Sequence, residues 1–123
     1  MGQDFFPYCP APCKVNFDKG NEFGEPANLV EMPVSWYMDD FPHSEFIMTR
    51  TGMKPQSQIF EIWTGTFDYG VENVENGMLS VAMHPQVVGR AHNIAMLEKF
   101  INHVIDCGAW LAPFAEIYKK IEF

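Results

Sequence analysis

Apolar residues recur along the second half of the chain with two different rhythms. After Pro55, Ile59, Ile62, Trp63 and Phe67 follow one another at spacings of three, one and four, which lines them up on one face of a helix closing near Gly70. Pro55 suits the first turn of that helix, where its missing N–H costs nothing. A second helix is expected from about Ala91, with Ile94, Leu97, Ile101, Val104 and Ile105 facing inward and Cys107-Gly108 stopping it. Pro113 opens a third over residues 114–123, with Phe114, Ile117 and Ile121 on one face and Lys119-Lys120 near the negative end of the dipole. Between these, short apolar runs read as strands. Residues 29–36 (LVEMPVSW) form the first, with Pro33 demoting it toward an edge. Residues 78–83 (MLSVAM) and 109–112 (AWLA) form two more, with little alternation, as in strands covered on both faces.

The expected order is β, α, β, α, β, α, which implies an α/β protein with a mostly parallel sheet and right-handed crossovers. Three strands are too few to close a barrel, so the pattern reads as part of a larger α/β fold with open edges. Residues 1–27 stand apart. They are rich in Pro, Gly, Asn and aromatics, follow no period, and read as a long irregular loop that packs on the unit formed by 28–123.

Composition narrows the function. A chain of 123 residues that is 47% hydrophobic and 15% aromatic is a single globular domain, not a disordered one. A formal net charge of −8 argues against a nucleic-acid backbone or an anionic membrane as partner. No apolar stretch approaches a bilayer span and the amino-terminal residues lack signal-peptide character, so a cytoplasmic setting is expected. Cys9, Cys13 and Cys107 are read as free thiols, since Cys9 and Cys13 are not followed by a second ligand pair.

The candidate chemistry gathers where predicted strands end. His84 follows the apolar run 78–83, which places its ring at the mouth of an α/β fold, and imidazole is the side chain best suited to general acid work near neutral pH. A histidine simply hydrogen-bonded in a strand-end loop fits the position equally well. Asp39 and Asp40 lie just beyond the first predicted strand. Adjacent residues point in different directions, so one is expected to face the site and orient His84 or bind a polar substrate, while the other caps or meets solvent. An acidic pair that merely opens a loop is the plainer alternative. Asp40, His43 and His84 together would make a carboxylate–imidazole metal set, a combination of low specificity. Arg90, at the start of a helix, is placed either to clamp a carboxylate or to form a structural salt bridge. His92 and His103 read as ordinary helix-boundary residues. No phosphate-cradling glycine loop and no Gly-x-Ser-x-Gly elbow occurs.

Three segments carry a resemblance: Met32-Pro-Val-Ser-Trp-Tyr-Met-Asp-Asp-Phe-Pro-His43, Ile59-Phe-Glu-Ile-Trp-Thr-Gly-Thr-Phe-Asp68, and Met83-His-Pro-Gln-Val-Val-Gly-Arg90 followed by Met96-Leu-Glu-Lys-Phe-Ile101. Together they resemble the polysaccharide deacetylase family, and most closely its intracellular branch of peptidoglycan-deacetylase-like and allantoinase-like proteins. The resemblance implies the carboxyl-terminal portion of a distorted (β/α) barrel, about three βα units, and hydrolysis of non-peptide C–N bonds such as those of N-acetyl sugars. It implies His84 as general acid, with Trp36, Asp39, Asp40, His43 and Arg90 lining the substrate cleft. The family's catalytic base and the ligands of its divalent metal, zinc in expectation, match nothing in this chain, so no cofactor is expected for the chain alone. The implied partners are a glycan or small-molecule substrate and either a missing amino-terminal half or further copies of the chain. The alternative is a non-catalytic remnant serving as an oligomerisation or small-molecule binding module.

An incomplete α/β unit leaves apolar faces uncovered. The chain is therefore expected to self-associate or to need a partner. Size-exclusion chromatography with light scattering checks this, and a monodisperse monomer with a sharp cooperative melt contradicts it.

Overall fold

The computed structural model describes residues 13–16, 26–47 and 50–120. Its elements run β1 (Cys13–Asn16), β2 (Pro26–Glu31), a 3₁₀ turn (Trp36–Met38), α1 (Asp40–Ser44), β3 (Phe46–Ile47), β4 (Arg50–Thr51), α2 (Gln56–Asn73), α3 (Pro85–Val88), α4 (Ala91–Asp106) and α5 (Phe114–Tyr118). The architecture is mostly helical. Among the described residues the regular strands form two antiparallel pairs, β1 with β2 and β3 with β4.

The core is the contact between α2 and α4. On α2, Ile59, Trp63 and Phe67 are spaced four apart and all buried, the stripe expected from the sequence. On α4 the buried residues are Asn93, Met96, Phe100 and Val104. Trp63 is fully buried and meets Phe100 edge-on at 5.4 Å and 66°, and Phe67 meets the same ring at 6.4 Å and 84°. Met38 reaches this cluster from the 3₁₀ turn. The indole N–H of Trp63 donates to the carbonyl of Tyr37 at 3.1 Å, so the largest core side chain also holds the chain just ahead of Asp39.

Three expectations differ from this structure. First, α4 is rotated from the expected orientation onto a neighbouring stripe: Ile94, Ile101 and Ile105 are exposed, while Val104 is buried and Leu97 packs half-buried against the core as expected. The helix carries two apolar faces. The one holding the long, adaptable Met96 and Phe100 fits around Trp63, while the isoleucine face looks outward. Second, residues 78–83 and 109–112 are not strands. Leu79, Val81 and Ala109 instead pack sideways on the helical core, which explains their apolar character without sheet pairing. Third, the strand expected at 29–36 ends at Glu31, just before Pro33, which has no N–H to give. Among the described residues a continuous parallel sheet, and with it a partial barrel, is therefore not visible, and the one parallel element is the bridge between Asp39 and Ala82, made by Asp40 N–H to Ala82 O (3.1 Å) and Ala82 N–H to Met38 O (2.9 Å).

The ends of the helices obey local rules. Pro55 and Pro113 immediately precede α2 and α5. Gly108 follows α4 at φ +78°, a conformation that glycine reaches without steric cost. The short helix α3 was not expected. It starts with Pro85 at its first position and closes at Gly89, where a Cβ would run into the carbonyl oxygen of Pro85.

Trp63→Ala removes the centre of this core and a donor to Tyr37. It is expected to cost about 3–5 kcal/mol, read as a lowered urea midpoint with far-UV circular dichroism as the probe.

Candidate active site around His84

Two helix starts meet at the parallel bridge. Asp39 caps α1, its Oδ1 accepting the Phe41 N–H at 2.8 Å, and this turns the next residue, Asp40, inward. His84, one residue beyond the Met83 that follows Ala82, is the residue before α3, with extended backbone at φ −107° and ψ 120°. Its carbonyl accepts the N–H groups of Val87 and Val88 at 2.8 and 2.9 Å. The bridge brings the two together. Asp40 Oδ2 accepts the His84 backbone N–H at 2.9 Å, and Asp40 Oδ1 lies 2.7 Å from His84 Nδ1.

Asp40 is only 2% exposed, whereas the His84 side chain is 40% exposed. A buried carboxylate thus fixes one face of an imidazole whose other edge meets solvent. Nδ1 is engaged, which leaves Nε2 as the ring nitrogen for chemistry. The Phe41 ring lies 5.2 Å from the His84 ring at 57°, and Asp39 Oδ1 is 3.7 Å from Nδ1. The hydrogen bond to Asp40 raises the His84 pKa above its ordinary value. Partial desolvation pulls the other way, and the charges of Asp40 and Asp39 add to the rise. The arrangement favours the charged imidazolium, the form able to give a proton from Nε2.

The other expected site residues are placed as follows. Trp36 and Tyr37 are exposed, at 64% and 68%, on the turn leading to Asp39. His43 is buried and bonded to other groups. Lys54 Nζ lies 3.3 Å from its Nδ1, and its Nε2 lies 3.0 Å from the Tyr37 carbonyl. An ammonium can only donate and a carbonyl can only accept, so His43 is the neutral Nε2–H tautomer with both nitrogens used. The Asp40–His43–His84 metal set is therefore not assembled. Arg90 pairs with Glu45 at 2.7 Å, which ties the start of α4 to the end of α1 rather than clamping Asp39 or Asp40. Lys54 and Glu45 escaped the sequence reading. Each acts by pairing with a residue distant along the chain, and no local pattern marks such a pairing.

Asp39, Asp40 and His84 do offer one metal-ligand atom apiece within 4.8 Å of one another. As a metal cage they are poorly suited. The 2.7 Å contact needs a proton between Asp40 Oδ1 and His84 Nδ1, Asp40 Oδ2 holds a backbone N–H, and Asp39 Oδ1 is spent on its cap. The set is built to hold a proton.

Known proteins supply a context for this geometry. Over 84 residues, 66% of this chain and 29% of the relative, the chain is 32% identical to the peptidoglycan deacetylase of Helicobacter pylori. It also superposes on a crystal structure from Mycobacterium smegmatis assigned to the polysaccharide deacetylases, with a TM-score of 0.68, 25% identity, and coverage of 89% of this chain and 37% of that one. No family model matches the chain. In both sequence and fold the chain is thus similar to polysaccharide deacetylases, and it spans less than a third of the length of the curated relative. No helix among the described residues is long and apolar enough to cross a membrane.

Asp40→Asn removes the partner that raises His84. The His84 titration, followed by NMR of the ring protons, is expected to fall toward the ordinary value near 6.5. Because the folded value is the raised one, the stabilisation is fully present below about pH 6.5 and is lost as pH rises through the folded value. The variant should therefore lose more stability at about pH 5.5 than at about pH 8.

Proposed function

We propose that this chain carries the acid-bearing, carboxyl-terminal part of a hydrolase of the polysaccharide deacetylase type, from the intracellular branch, acting on non-peptide C–N bonds. The single observation that carries this reading is the pair formed by buried Asp40 and half-exposed His84, 2.7 Å apart at the meeting of two helix starts. The likeness to two deacetylases supports the reaction class.

In this reading water adds to the amide carbonyl carbon and the C–N bond breaks. His84 gives its Nε2 proton to the departing nitrogen, so the products are a carboxylate and a free amine. Asp40 holds the ring orientation and favours the charged form of the imidazole. Phe41 walls one side of the ring, and exposed Trp36 and Tyr37 offer flat apolar surfaces on which a sugar ring can stack. The group that activates the water, and any divalent metal, belong to residues outside these 123. Zinc is the metal expected in the complete enzyme, and the substrate is an N-acetylated sugar, a peptidoglycan unit or a cyclic ureide.

The outward isoleucines of α4, with exposed Trp110, Leu111 and Phe114, support a chain that is completed by further polypeptide, either an amino-terminal half or other copies. This is also the feature that favours the second reading, a non-catalytic module persisting through association.

The test is hydrolysis of a panel of N-acetylated sugars and allantoin with Zn²⁺ present. The chain is assayed alone and then mixed with the amino-terminal half of a deacetylase. Turnover is expected in the mixture and should drop by about 100-fold or more in His84→Ala, the scale of a lost general acid. Turnover that survives His84→Ala removes His84 from the mechanism, and silence in both arms favours the non-catalytic module.

A further inference from the structure

At the far end of the α2–α4 contact, three side chains of different chemistry converge. His103 Nε2 lies 2.6 Å from Asp68 Oδ1. Cys107 follows His103 by one helical turn, its backbone N–H donating to the His103 carbonyl at 3.1 Å, so both residues fall on the same face of α4. Asp68 projects from α2. One ligand atom from each of Asp68, His103 and Cys107 lies within 4.8 Å of those of the other two. The Phe67 ring stands edge-on to His103 at 5.8 Å and 76°, which limits how the imidazole can turn.

We propose that Asp68, His103 and Cys107 form a zinc site, separate from His84, that staples the carboxyl-terminal end of α2 to that of α4. A carboxylate, an imidazole and a thiolate are three of the donors that Zn²⁺ takes, and the thiolate disfavours the hard cations Mg²⁺ and Ca²⁺. In a tetrahedral zinc site, bond lengths of about 2.0–2.3 Å put neighbouring donor atoms roughly 3.3–3.6 Å apart. The Asp68–His103 contact must open by about 0.7 Å, and the sulfur must close by at most about 1.3 Å, to meet that geometry. Both movements are within reach. The Asp68 side chain is 46% exposed and that of His103 is 33% exposed, while Cys107 is exposed at the helix end. This is the contrast with Asp40, whose buried carboxylate is pinned through both oxygens. On binding, Cys107 releases its thiol proton to solvent, and the protons shared between Asp68 and His103 rearrange to leave Nε2 or Nδ1 unprotonated. Water takes the fourth position.

The experiment is a Co²⁺ titration of the whole chain in which Cys9 and Cys13 are replaced by Ser, so that Cys107 is the remaining thiol. Expected is a near-ultraviolet thiolate-to-cobalt charge-transfer band that saturates at one metal per chain and is displaced by Zn²⁺. The band should vanish in Cys107→Ser. In His103→Gln and Asp68→Asn binding should weaken by at least about tenfold, since even residues outside the first ligand shell cost that much at metal sites. His84→Ala should leave the titration unchanged. Zn²⁺ should raise the melting temperature of the Cys9→Ser/Cys13→Ser chain and not that of Cys107→Ser. Absence of the band overturns the proposal, as does a band that keeps its affinity in His103→Gln or disappears in His84→Ala.

Discussion

The carbonyl oxygen of Tyr37 is the point on which core and site both depend. It accepts the indole N–H of Trp63 at 3.1 Å and the Nε2–H of His43 at 3.0 Å. One donor comes from the centre of the α2–α4 core and the other from buried α1. Between them they fix the backbone two residues ahead of Asp39, and so fix where the Asp39–Ala82 bridge can form. Without the bridge, Asp40 and His84 have no reason to meet, because they are 44 residues apart in sequence. The catalytic candidates are thus positioned in part by a tryptophan at the centre of the core. Buried hydrogen bonds of this kind contribute modestly to net stability, but leaving such a carbonyl unmet is costly, which makes the arrangement specific.

That dependence explains what could be read from the chain and what could not. The α2 stripe of Ile59, Trp63 and Phe67 was legible because a helix with one apolar face announces its period. The stop at Gly108 and the starts after Pro55 and Pro113 were legible because they follow from backbone geometry. The buried face of α4 was legible only in part, at Leu97 and Val104. Ile94, Ile101 and Ile105 make as good a stripe as Met96, Phe100 and Val104, and only the shape of Trp63 and Phe67 across the interface chooses between them. The apolar runs at 78–83 and 109–112 carried a true signal of contact with the interior, but the same composition serves a strand or a coil pressed on helices. At the site, adjacency alone implied that Asp39 and Asp40 face differently, and the α1 cap sets which of them turns inward. The fate of His43 depended on Lys54 and on the Tyr37 carbonyl, and neither relation has a local signature.

Two imidazole–carboxylate pairs among the described residues, His84 with Asp40 and His103 with Asp68, share a short contact and differ in setting. At His84 the carboxylate is buried and doubly bonded, so the pair behaves as a rigid holder of a proton. At His103 the carboxylate stands in solvent with one bond, and a thiol lies one helical turn away. The same two side chains thus serve different chemistry according to how freely the acid can move.

His43 adds a constraint of another kind. Both of its ring nitrogens are spent inside the protein, Nδ1 on Lys54 Nζ at 3.3 Å and Nε2 on the carbonyl of Tyr37 at 3.0 Å. One imidazole thus joins the segment that follows β4 to the turn just ahead of Asp39. It serves as a strut and not as a reagent, and the acid-bearing ring of His84 is aimed by a second histidine that takes no part in the chemistry.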